Sequence, residues 1–337
     1  MRILYAVQGT GNGHLSRAKD IIPCLQKLGE VDILVSGIQG DLTLPFPLTY
    51  KLKGLSFIFG KSGGVNLWKT VVKADVRKLS KAINALPVEE YDLVINDFEP
   101  VSAWACNLKN KPCIALSHQA AVLSRYAPRP EHRDPMGAMI LNNYAPASVK
   151  YGFHFEAYDD HIFTPVIRKE VREQKIEDRG HFTVYLPSYD DERLIKRLSA
   201  YKDVQWEVFS KHNKKPKKFK NINIQPVHAE KFTKSMARSS GVLCGAGFET
   251  PAEALYMGKK LLVIPMKNQY EQHLNAASLQ QMGVTVIKSL KSKHEARITD
   301  WLQNGEKIQV NYQDQTQEIL NNIVSKHASE PVLDWFI

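Results

Sequence analysis

Short apolar runs alternate with amphipathic stretches along most of this chain. Residues 2–8 carry a continuous apolar run over 3–7, the pattern of a strand buried on both faces. A glycine-rich turn, Gly9-Thr10-Gly11-Asn12-Gly13-His14, leads into a helical period over about 15–28. Residues 31–36 predict a second strand, 42–59 a less regular, hairpin-like region, and 67–86 a helix. Further buried strands are expected at 92–96 and 112–116, giving the βαβ rhythm of a doubly wound parallel sheet. Residues 142–158 are aromatic-rich and read as helical in part.

The composition shifts where 163–168 runs into the charged stretch 169–179, and the alternation then restarts. Strands are expected at 182–186, 204–209, 222–226, 241–244, 261–264 and 284–287, with helices at about 191–200, 229–239, 292–303 and 313–327. Asp190-Asp191-Glu192 reads as the acidic start of a helix. The expected division is a first domain over 1–165, a second over 166–312, and a helix and tail over 313–337 that crosses back to the first domain.

Composition narrows the class. With 337 residues and 43% apolar content the chain suits two globular domains, and no apolar run nears the ~18 residues of a membrane span. The N-terminus enters a strand with no leader pattern, so a cytoplasmic location is expected. Cys24, Cys106, Cys113 and Cys244 lack disulfide or zinc spacing, and no metal or cofactor is expected. The net charge of +10 favours an anionic partner, and much of it lies in 211–220, which reads as a long basic loop. That loop is either solvated or docks on an acidic membrane face; no nucleic-acid signature accompanies it.

The chemistry concentrates at Gly245-Ala246-Gly247-Phe248-Glu249-Thr250, where an apolar run passes through glycines into an amphipathic helix. Free backbone N–H groups and the helix dipole there suit an anion such as phosphate. Glu253, one turn on, suits sugar hydroxyls, and Gln269, Glu271 and Gln272 open the next helix beside it. A pair of ordinary βα turns using glycine for geometry remains the alternative.

This segment resembles the donor-binding signature of GT-B glycosyltransferases, most of all glycosyltransferase family 28, which includes the peptidoglycan N-acetylglucosaminyltransferase, and more distantly the UDP-glucuronosyl and plant glucosyl transferases. The resemblance implies two Rossmann-like domains facing each other across a cleft. It places Glu253 on the donor ribose, Glu271 and Gln272 on the donor hexose, Ser188 near the phosphates, His228 near the base, and Arg168 facing the cleft. Where many relatives carry a histidine this chain has Gly245, so phosphate contact would rest on backbone and Thr250.

Gly11 and Gly13 have the wrong third spacing for a dinucleotide fingerprint and lack the Lys-Ser/Thr of a P-loop. By resemblance their loop faces the acceptor, making His14 the general base, with Asp97 as its partner and His118 as a second candidate. From the residues alone His14 reads equally as a helix-end hydrogen bonder, and Asp97 as an N-cap; Glu99 is a further titratable group nearby.

The expected function is inverting, metal-independent transfer of a hexose from a nucleotide-sugar, UDP by family default, to an acceptor hydroxyl, with a glycolipid and the inner face of the membrane in view. A nucleotide-sugar 2-epimerase or hydrolase of the same fold, and a non-catalytic anion-binding protein, stand as alternatives.

Overall fold

In the computed structural model, which describes residues 1–37, 44–53, 76–132 and 134–328, the apolar runs become the strands of two sheets. The first part of the chain forms β1 (Arg2–Gln8), α1 (Asn12–Gln26), β2 (Glu30–Ser36), β3 (Tyr50–Leu52), α2 (Val76–Ala85), β4 (Leu93–Asp97), α3 (Pro100–Leu108), β5 (Ile114–Leu116), α4 (His118–Val122), α5 (Pro135–Asn143), β6 (Val149–Phe153) and β7 (Ile162–Phe163). There follow α6 (Lys169–Arg172), β8 (His181–Tyr185), α7 (Asp191–Leu198), β9 (Gln205–Ser210), β10 (Lys217–Phe219), β11 (Ile222–Pro226), α8 (Ala229–Arg238), β12 (Gly241–Gly245), α9 (Glu249–Tyr256), β13 (Lys260–Ile264), α10 (Tyr270–Gln281), β14 (Thr285–Val286), α11 (Glu295–Asn304) and α12 (Thr316–Ala328).

Each sheet has seven strands, in the orders β3-β2-β1-β4-β5-β6-β7 and β10-β11-β9-β8-β12-β13-β14. All pairings are parallel except that of β10 with β11. Each sheet is built outward from one strand and then reverses, between β1 and β4 in the first and between β8 and β12 in the second. At such a reversal the loops leave in opposite directions and open a crevice at the carboxyl ends of the strands. This is the GT-B architecture of two Rossmann-like sheets.

Both faces of β1 are covered, and Ile3 to Val7 are fully buried, which accounts for its unbroken apolar run. One apolar cluster runs from β1 and α1 through Phe153 and Phe155 to Phe248, Ala252 and the helix α12. The sheets are therefore joined by packed side chains as well as by the chain. Helix α12 returns to α1, where the Gln317 side-chain amide donates to the Cys24 carbonyl at 3.3 Å, and His327 reaches the Tyr151 hydroxyl at 3.0 Å.

Three sequence expectations need correction. In the hairpin-like region the described strand β3 pairs parallel with β2, extending the sheet; residues 54–75, with part of the predicted helix, lie outside the described residues. Residues 149–153 are a strand: Val149, Tyr151 and Phe153 alternate onto one buried face, a period of two that the aromatic content disguised. The basic loop is partly strand, because Lys217–Phe219 pair antiparallel with β11 as the exposed edge of the second sheet. Lysines along an edge also discourage pairing with another chain. Asp190 caps α7 by accepting from Arg193 N at 2.8 Å. The apolar tail 331–337 lies outside the described residues.

Candidate active site

The reversal of the first sheet sets β1 beside β4, so the loop after Gln8 meets Asp97. Gly11 adopts φ +92°, a left-handed conformation that favours glycine, and turns the chain into α1. His14, in the first turn of α1, places Nδ1 2.8 Å from Asp97 Oδ1. The Asp97 carboxylate is wholly buried and also accepts from Arg17 Nη2 through both oxygens at 2.8 Å. Burial opposes its charge, but the Arg17 guanidinium and His14 outweigh that and hold its pKa below the ordinary value. With Nδ1–H donating to Asp97, the lone pair of His14 is on Nε2, 3.4 Å from Gln119 Nε2. Phe98, at φ +57°, follows Asp97 and stacks its ring nearly parallel to His14. Glu99 is engaged elsewhere: it caps α3, accepting from the Val101 and Ser102 amides and from the Ser36 and Ser102 hydroxyls.

In the second sheet β12 ends at Gly245, and Ala246-Gly247-Phe248 turn into α9. No side chain caps the start of α9, and a Cβ at Gly247 would meet nothing within 4 Å. Backbone donors with open space before them therefore stand where the anion site was expected. Thr250 is half-buried in the first turn. Glu249 points away from this turn: it pairs with Arg17 across the cleft and covers Gly13, where a Cβ would lie 3.2 Å from Glu249 Cγ. Burial raises Glu249 to about 7 against the pull of Arg17.

Glu253 is held by Arg168 through two hydrogen bonds, from Nε at 2.5 Å and Nη2 at 2.8 Å. Gln272 accepts from Met266 N at 2.8 Å and so holds the loop after β13. Glu271 accepts from Gln119 Nε2 at 3.0 Å, while Gln269 Oε1, at the start of α10, is buried with no protein partner. Ser188 lies half-buried beyond the end of β8, and His228 is exposed just before α8. Both follow the carboxyl ends of parallel strands: Ser188 follows β8, the strand next to β12 and Gly245, and His228 follows β11, which β9 and β8 separate from β12.

His118 takes a different place from the one expected. It is buried, with Nδ1 2.8 Å from the Phe153 carbonyl and Nε2 2.7 Å from Asn275 Oδ1. Asn275 Nδ2 donates to Ala246 O at 3.1 Å, which fixes its oxygen towards the ring. Both ring nitrogens thus face acceptors, an arrangement that a protonated ring satisfies, whereas burial depresses the pKa despite Glu271. With both nitrogens engaged, His118 offers no lone pair to the cleft. It joins the sheets instead, stacking on Phe248 with centroids 3.9 Å apart.

The sequence reading missed Arg17 and Gln119. Arg17 carries one available signal, its position three residues after His14 on the same helix face; Gln119 carries another, its place beside His118 just past the strand at 112–116. Among the described residues no cluster of His, Cys, Asp or Glu could hold a metal, and no helix is long and apolar enough to cross a membrane.

Residues 1–305 match the family model for glycosyl transferase family 1. Solved structures share the fold at low identity. Phytolacca americana UGT2, complexed with UDP-2-fluoro-glucose and pterostilbene, aligns with TM-score 0.63 at 12% identity, covering 96% of this chain and 98% of its own. LpCGTa in complex with UDP aligns with TM-score 0.62 at 12% identity, covering 98% and 99%. Acinetobacter baumannii MurG aligns with TM-score 0.55 at 14% identity, covering 96% and 99%. No curated protein matches the sequence.

Proposed function

Because this chain belongs to glycosyl transferase family 1, we propose that it moves a hexose from a UDP-sugar to an acceptor hydroxyl with inversion, His14 acting as general base. The observation that carries this reading is the His14–Asp97 pair at the carboxyl ends of the central strands of one sheet, with the open start of α9 at the carboxyl end of β12 in the other. The acceptor oxygen attacks the anomeric carbon as its proton passes to His14 Nε2. The bond from that carbon to the diphosphate oxygen breaks on the opposite side. Asp97 fixes the tautomer and supports the imidazolium that forms. The departing diphosphate is met by the amides of 247–250 and the α9 dipole. Glu253 and Gln269 supply acceptors for donor hydroxyls, and Ser188 and His228 flank the same crevice. These groups need no metal. The domain division at 165/166, in the linker between β7 and β8, belongs to the same reading.

The acceptor we favour is a lipid-linked alcohol at an anionic membrane face. Six lysines of 211–220 are exposed in the edge hairpin, and none of them is in an ion pair among the described residues.

Thermal-shift titration with UDP, GDP, TDP and their sugar conjugates tests the donor site. A hundredfold excess over Kd adds about 2.7 kcal/mol to stability. UDP and its sugars should stabilise wild type and not Glu253→Ala. Silence from every nucleotide would sink the reading. Free sugar or epimer released without acceptor would identify a hydrolase or epimerase instead.

A further inference from the structure

Arg17 is a fully buried guanidinium whose two ends face opposite sides of the cleft. Nη2 binds both oxygens of Asp97 and lies 3.4 Å from His14 Nδ1, while Nη1 binds Glu249, the first residue of α9. We propose that Arg17 is a positioning residue that couples the base pair His14–Asp97 to the donor helix and draws the Glu249 side chain out of the phosphate cradle. The inference rests on the glycosyltransferase reading above.

Two physical problems call for such a residue. A carboxylate at the first position of α9 suits the helix dipole but would repel a diphosphate bound at the same amides. Pairing with Arg17 turns it aside and offsets its charge. Second, an Asp97 devoted to His14 alone would favour the imidazolium so strongly that the ring would resist acting as a base. Arg17 takes part of the Asp97 charge, and Glu249 in turn takes part of that of Arg17. The groups facing this chain are Tyr5 on β1, Asp97 on β4, Glu249 and Glu253 on α9, Arg168 before α6, and Glu271 on α10 through Gln119. Glu253 is itself matched by Arg168, so Glu249, Arg17 and Asp97 set the local balance.

The test compares wild type, Arg17→Met, Glu249→Gln and the double variant. Three quantities are read: UDP affinity by calorimetry, donor KM and kcat against pH, and the NMR titration of the His14 ring. In Arg17→Met the freed Glu249 should weaken UDP binding and raise donor KM by about tenfold. Adding Glu249→Gln should restore both to within about twofold. The His14 titration should move up in Arg17→Met and down in Glu249→Gln, by roughly half a unit or more, carrying the acid limb of kcat/KM with it. A structural role alone predicts lost activity with no rescue and an unmoved titration, and that result would overturn the proposal. If Arg17→Met does not fold, Glu249→Gln decides: a His14 titration that coincides with wild type refutes the coupling. The NMR readout needs no activity, so a wild type that binds no nucleotide would fail the functional reading while this coupling is still judged.

Discussion

Arg168 grips Glu253 with a two-point ion pair, 2.5 and 2.8 Å long, in which both side chains are largely buried. The carboxylate proposed to bind the donor ribose is thus already committed to a residue of the chain that links the sheets.

Donor binding must then share or exchange this pair, and its removal should separate stability from affinity. Arg168→Met should weaken UDP binding and destabilise the fold by about 3 kcal/mol, because it leaves a buried carboxylate unpaired. Glu253→Gln, which keeps an acceptor, should abolish most nucleotide stabilisation at a smaller cost in stability. Urea unfolding with and without UDP distinguishes the two effects.

His14→Ala should lower kcat by about 10²–10⁴ with donor KM nearly unchanged. Asp97→Asn should lower kcat as well, since an amide accepts from Nδ1–H but cannot offset the imidazolium charge. A donor KM that rises in step with the loss of kcat would place His14 in binding.

Glu249 carries a sign that can be checked by stability. Its folded pKa, about 7, lies above the unfolded value near 4.5. The folded state therefore holds the extra proton between those values, and stability from this group is full below 4.5 and lost as pH rises through 7. Asp97 runs the other way: its lowered pKa gives stability above the ordinary carboxylate range, lost as pH falls through the folded value. Denaturant midpoints from pH 5 to 8 should decline more steeply in wild type than in Glu249→Gln. Parallel curves would show that Glu249 does not titrate there.

Asn275 is the hinge pin of the contact between the sheets, donating to Ala246 O and accepting from His118. Asn275→Ala leaves a buried carbonyl and a ring nitrogen unpaired, and should cost about 1–3 kcal/mol. The loss should appear in chemical unfolding even without nucleotide.

The edge hairpin should bind vesicles containing phosphatidylserine, at about 1 kcal/mol per well-placed lysine, with binding lost at high salt. Replacing Lys214, Lys215, Lys217 and Lys218 by Gln should abolish flotation with such vesicles and leave activity on a water-soluble acceptor intact. Equal flotation of the variant would remove the membrane from the proposal.

What the sequence determined was the alternation. Buried parallel strands demand unbroken apolar runs, and glycine turns mark where they end, so β1, β4, β12 and β13 were legible along with Gly11, His14 and the 245–250 turn. Strand β6 was not, because five residues that alternate about Gly152 look the same inside an aromatic-rich stretch whether or not neighbours pair with them. Tertiary structure alone decided the partners. Arg17 and Glu249 are 232 residues apart, His118 and Asn275 157, and Arg168 and Glu253 85. Local periodicity carries no information at such separations. Whether a histidine keeps a lone pair for chemistry depends on the partners the fold brings to it: His14 Nε2 faces only the Gln119 amide, a donor at 3.4 Å, whereas both nitrogens of His118 face oxygen acceptors.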